Sequence, residues 1–251
     1  MYQPRVQEMP SDKQNQLYRK WDAWLEEIKN ELVELHASRR TFWDLGDVIN
    51  QNPRLKQRGN HFLDWMAKNY LYSMVTSIRR LVDNRRSTMS YRRLLEDIHR
   101  NPTVLSRSRF KANFVCGDWD EHEADTCFDQ LVGVGREHID REFVQGQIDE
   151  LVSKTKALTT FANRRITHHE DIEVTEIPKV GDAHTALDYL ESIMKYYWNL
   201  FRCEDFLRAE PYLQYNWKEI FYFPWIEGEA FKDEKVGATT VFLEDRTSRE
   251  R

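Results

Sequence analysis

The sequence predicts an all-α protein built on an antiparallel helix bundle, and three observations carry that prediction. Apolar residues return at three- and four-residue steps over long stretches, the one-face period of a helix. Glycine and proline are scarce, 9 and 7 in 251 residues, which disfavours a turn-rich β protein. Capping residues stand just ahead of several periodic stretches, where a helix needs a partner for its first amides.

The first stretch opens on Ser11-Asp12-Lys13-Gln14, the spacing of a capping box. Trp21, Trp24, Leu25, Ile28, Leu32, Leu35 and Phe42 then recur on one face, and Asn52-Pro53 and Gly59 punctuate the end. This predicts a helix over 12–50. A second helix, over 60–84, carries Phe62, Trp65, Met66, Tyr70, Met74, Val75, Ile78, Leu81 and Val82, with Arg79, Arg80, Asp83, Arg85 and Arg86 at its polar end. Ser90 is placed to cap a short helix through Leu94, Leu95 and Ile98, which Asn101-Pro102 closes. Residues 103–131 show no period and read as a long inter-helix loop. Helical spacing resumes at Ile139, Phe143, Ile148, Leu151, Leu158 and Phe161, and a break with Pro178 follows. Asp182 can cap a last helix with the near-heptad stripe Leu187, Leu190, Met194, Tyr197 and Phe201. The C-terminal extension is aromatic: Tyr212, Tyr215, Trp217, Phe221, Tyr222, Phe223 and Trp225, expected to pack back on the bundle. Residues 1–227 read as a single helical domain and 228–251 as a flexible tail.

The formal net charge is −5, so any nucleic-acid contact has to come from a local basic patch. Three cysteines, Cys116, Cys127 and Cys203, leave an odd thiol and suit a reducing compartment. No apolar run reaches the roughly 18 residues of a membrane span, and the N-terminus lacks a signal-peptide core. The expected location is the cytoplasm. The acidic stretch from Asp118 to Asp125 lacks the ligand order of an EF-hand, and Cys116, His122 and Cys127 lack a short Cys-x-x-Cys anchor. No metal or cofactor is expected.

The densest chemical cluster is Asn163-Arg164-Arg165-Ile166-Thr167-His168-His169-Glu170-Asp171. Arginine holds phosphate oxygens with a rigid fork of donors, and histidine titrates near neutrality, where it can move a proton. If the helix continues, positions 158, 162, 165 and 169 share a stripe, which puts Arg165 beside His169 and Arg164 well round the cylinder. The competing reading is a helix C-terminus whose basic residues complement the dipole. On the second helix Arg79 and Asp83, four apart, can pair on one face.

Three segments carry a resemblance. Tyr70 to Asp83 reads Tyr-Leu-Tyr-Ser-Met-Val-Thr-Ser-Ile-Arg-Arg-Leu-Val-Asp, Ser90 to Leu95 reads Ser-Tyr-Arg-Arg-Leu-Leu, and Ala162 to His168 reads Ala-Asn-Arg-Arg-Ile-Thr-His. Over residues 20–225 the chain resembles the HEPN superfamily, and within it the abortive-infection U-type branch. That branch has an aromatic-rich first pair of helices, an Arg-Arg-Leu-x-Asp element and an Arg-Asn-Lys-x-Ile-Ala-His-like motif.

The resemblance implies a HEPN-type helix bundle of prokaryotic defence or toxin–antitoxin kind and a metal-independent endoribonuclease. His168 or His169 would be the acid and base, and Arg164 or Arg165 the phosphate contact. Asp83 would orient the histidine, and Arg79, Arg80 and Asn163 would contact RNA. It also implies a homodimer and an antitoxin or other regulatory protein as partner. The chain departs from the pattern at one point, since the branch's first Arg falls on Ala162. Either the pair has shifted to Arg164 and His169, or the catalytic Arg is lost and the protein is a non-catalytic binding or scaffold module.

Overall fold

The computed structural model describes residues 11–52, 61–114, 121–167, 177–211 and 215–222. Seven α-helices are found among them: α1 (Asp12–Gln51), α2 (His61–Leu81), α3 (Tyr91–Arg100), α4 (Arg107–Phe114), α5 (Glu121–Val132), α6 (Arg141–Phe161) and α7 (Val180–Arg202). The described residues hold no strand, only an isolated bridge between Ser106 and His138.

Met1–Trp43 and Arg58–Pro211 form one compact unit, and Asp44–Gln57 with Tyr212–Arg251 a second. In the first unit four long helices run up, down, up and down. Ion pairing of Glu31 with Arg80 and stacking of Phe42 on Tyr70, with centroids 4.0 Å apart, set α1 antiparallel to α2. Tyr18 donates to the Phe201 carbonyl and Arg39 pairs with Asp188, which sets α1 antiparallel to α7. Tyr72 meets Phe161 edge-on, which brings the middle of α2 to the end of α6. The predicted apolar stripes supply the shared core, with Trp21, Leu25, Ile28, Leu32, Met74, Ile78, Leu190, Met194, Tyr197 and Phe201 all buried. Truncating any of the leucines to alanine costs about 2–5 kcal/mol.

The caps follow the sequence closely. Gln14 N–H donates to Ser11 Oγ at 3.3 Å, and Ser11 N–H to Gln14 Oε1 at 3.0 Å. Ser90 Oγ accepts from Arg93 N–H at 3.2 Å. Asp182 differs: α7 starts two residues earlier, and Asp182 reaches back from its first turn to accept Lys179 N–H at 2.7 Å.

Residues 103–131 are not one loop. They hold a 3₁₀ turn, Pro102–Val104, and the helices α4 and α5. Arg107 bonds Asp125 and Asp129, and Lys111 bonds Asp125 at 2.8 Å, so the basic and acidic runs pair with each other. The first half of α2 also departs from expectation: Phe62 and Trp65 are exposed, as is Trp43. In the second unit Lys218 lies 3.5 Å from the buried Asp44 carboxylate, and Tyr215 and Tyr222 are exposed. Trp225 lies outside the described residues.

Candidate functional site

Arg79 and Arg80 are neighbours in the last turn of α2, and one residue of helix turns them about 100° apart. They therefore serve different partners. Arg80 pairs with Glu31 on α1. Arg79 donates from Nε to Oδ1 of Asn163, which ties the end of α2 to the segment beyond α6.

That segment is unusual. After Phe161 the chain does not continue as α-helix; Ala162–Thr167 form a π-helical turn. A π turn carries extra residues per revolution, so it resets which side chains share a face, and such turns recur at functional sites. Leu158, Phe161 and Ala162 remain buried, Asn163 is exposed, Arg164 is half-buried and Arg165 is exposed. The stripe expected through positions 158, 162, 165 and 169 is thus broken, since Arg165 leaves the face that Leu158 and Ala162 occupy. His168 and His169 lie outside the described residues, and so does any contact between them and Asp83.

Asp83 also has another partner than expected. α2 ends at Leu81, so the four-residue rule of a helix face stops short of Asp83. Its carboxylate accepts Arg85 N–H at 3.0 Å and lies 3.3 Å from Arg85 Nε. Its carbonyl receives the Ser90 hydroxyl. Asp83 organises the connection from α2 to α3 and does not pair with Arg79.

These elements enclose a cleft of about 290 Å³ floored by Val82 and Leu151. Arg79, Arg85, Arg92 and Lys156 stand round it, against one carboxylate, Asp83. Two of the cations have their charge matched: Arg85 by Asp83, and Arg92 by Glu96 at 3.2 Å. The other two do not. Arg79 has only the neutral Asn163, and Lys156 meets no carboxylate among the described residues. A concave surface with unmatched positive charge concentrates anions.

Sequence reasoning named Arg79 and Asn163 and missed Lys156. The signal existed: Val152, Lys156, Thr159 and Asn163 recur at four, three and four residues, one face of α6 carried into the π turn, and all four line the cleft.

Among the described residues no three His, Cys, Asp or Glu side chains are grouped to hold a metal ion. No described helix is long and apolar enough to cross a membrane. A family model of the HEPN type described as AbiU2 matches residues 18–216 of the chain. No curated protein and no solved structure matches it.

Proposed function

The chain belongs to the AbiU2 family of HEPN proteins, an abortive-infection defence family, and we propose from that premise that it is a metal-independent endoribonuclease. The observation that carries the reading is the bond from Arg79 to Asn163, which ties the turn carrying Arg164 and Arg165 to the basic end of α2, beside an anion-attracting cleft; His168 and His169 follow that turn in the sequence.

The chemistry needs three services. A base takes the proton from the ribose 2′-hydroxyl, whose oxygen attacks the adjacent phosphorus. Positive charge stabilises the phosphorane oxygens as they gain charge. An acid returns a proton to the leaving 5′-oxygen as its bond to phosphorus breaks, leaving a 2′,3′-cyclic phosphate and a 5′-hydroxyl. His168 or His169 supplies the proton transfers, and Arg164 or Arg165 the charge. The proton balance closes without a metal.

Cleavage of RNA in EDTA tests this. Replacing the working histidine with alanine should lower the rate by about 10²–10⁴-fold. Full activity in the His168→Ala/His169→Ala variant, or activity that needs magnesium, would sink the mechanism. Family resemblance also supports a homodimer that brings two such turns to one cleft, and light scattering at micromolar concentration should give twice the chain mass. A monomer would remove the paired cleft.

A second reading, a non-catalytic HEPN module, draws on Ala162. The position on which the branch's first Arg falls is 1% exposed and packed in the core. No phosphate reaches it.

A further inference from the structure

We infer that the cleft between α2, α3 and α6 is a phosphate-binding site adjoining the π turn at Asn163, and that Lys156, matched by no carboxylate among the described residues, and Arg85, which shares its charge with Asp83, hold the phosphates of a single strand laid along α6. The inference rests on the ribonuclease reading for RNA as its occupant, and on the cleft alone for its chemistry.

Three observations point there. The lining carries four cations and one carboxylate, and Arg79 and Lys156 have no carboxylate partner among the described residues. The neutral members, Asn84, Thr159 and Asn163, can bond phosphate and ribose oxygens without adding negative charge. The site is also elongated. The α6 face from Val152 to Asn163 spans roughly 16 Å at helical rise. Val152 and Arg92 also line a second cleft, of about 470 Å³, which extends the groove toward Arg100.

Size selects the ligand. A volume of about 290 Å³ is at the small end for ligand pockets and admits about one nucleotide, not a duplex. Charge selects within it, because the second cleft mixes Arg92, His99 and Arg100 with Glu96 and Asp149. Phosphates therefore settle in the first cleft. The same chemistry is offered by a strand of RNA or by the polyphosphate of a free nucleotide.

The test measures binding apart from cleavage. The full chain carrying His168→Ala and His169→Ala is titrated into a labelled oligouridylate of about 12 nucleotides, and in parallel with ATP and with inorganic tripolyphosphate. It is compared with the same protein carrying Arg85→Gln and Lys156→Gln. A third protein carries Lys13→Gln and Arg19→Gln, exposed charges on α1 that match the loss in net charge. The cleft pair should weaken RNA binding about tenfold or more at 0.1 M salt. It should also flatten the salt dependence by about 1.4 in log–log slope, two contacts at about 0.7 each, while the α1 pair stays within twofold. If ATP or tripolyphosphate binds through the cleft and RNA does not, the site stands with a nucleotide as its ligand. Equal loss in both pairs, or no cleft-dependent binding by any probe, overturns it. Val152→Glu adds a carboxylate without removing a contact, and should reproduce the loss if the double variant is poorly folded by its melting curve. Cleft-dependent binding by a protein that never cuts RNA removes the ribonuclease reading and leaves this site; RNA cutting by a protein in which no probe binds through the cleft does the reverse.

Discussion

At the scale of single residues Ala162 decides most. Its side chain is 1% exposed and packs with Leu158 and Phe161, both buried. An arginine there would have to bury a charge or push the π turn away from the bundle. Overpacking alone costs about 1–3 kcal/mol, and an unpaired buried charge adds to it. Ala162→Arg should therefore lower the urea midpoint without creating or raising nuclease activity. A stable, more active variant would show that the turn can present the side chain outward. The site itself was half legible. Asn163, Arg79 and the Arg/His run stand out by residue type. Lys156 shows only in its helical spacing with Val152, Thr159 and Asn163. That Arg85 joins the same cleft is a tertiary fact, set by the turn that Asp83 builds and by α6 packing beside it.

At the scale of elements, the long helices were legible because many repeats of one face accumulate. α1 is predicted over 12–50 and found over Asp12–Gln51. α4 and α5 were not, because each is short and buries few apolar side chains: Phe110 on α4, and Ala124 and Phe128 on α5. Two points cannot show a period. What holds these helices is a set of contacts that are distant in sequence. Arg107 bonds Asp125 at 3.2 Å and the Arg136 carbonyl at 2.8 Å, pairs with Asp129, and lies over the Phe128 ring at 4.7 Å. Its side chain is 15% exposed. Removing it takes one partner from each of two carboxylates and from a carbonyl, while Asp125 keeps Lys111 and Asp129 keeps the Gly135 N–H, so Arg107→Ala should cost on the order of 1–2 kcal/mol. Chemical denaturation checks the magnitude. Hydrogen exchange should show the loss concentrated in α4 and α5; a change below about 0.5 kcal/mol would make the cluster a solvated surface network.

For the whole molecule, stability against pH is set by what the bundle buries between α1 and α7. His36 is 1% exposed. Its Nδ1 lies 2.9 Å from Arg39 Nη2, and arginine can only donate, so Nδ1 accepts and the ring is neutral. Nε2 faces Glu191 at 3.4 Å. Burial, and then the Arg39 charge, hold the His36 pKa below its usual value; Glu191, Asp188 and Glu210 pull the other way and do not win. His184 is lowered in the same way by burial and Arg39, against Asp188. Its Nε2 lies 2.6 Å from the Tyr70 hydroxyl, which burial keeps protonated. Above the unfolded value of about 6.5 these histidines are neutral in both states and contribute nothing. Below it the unfolded chain takes up protons that the fold refuses, so stability falls with pH, by at most about 1.4 kcal/mol per pH unit for each histidine. Glu26 and Asp125, held low by hydrogen bonds from Lys29 and Lys111, lose stability only in the carboxylate range near pH 4 and below. Between pH 5 and 7 the slope therefore belongs to His36 and His184. Urea unfolding across that range should show stability rising with pH. His36→Gln, which keeps an acceptor for Arg39, should remove part of the rise, and adding His184→Gln should remove most of the rest. An unchanged slope in the double variant would mean that these two histidines are not the groups the fold holds neutral.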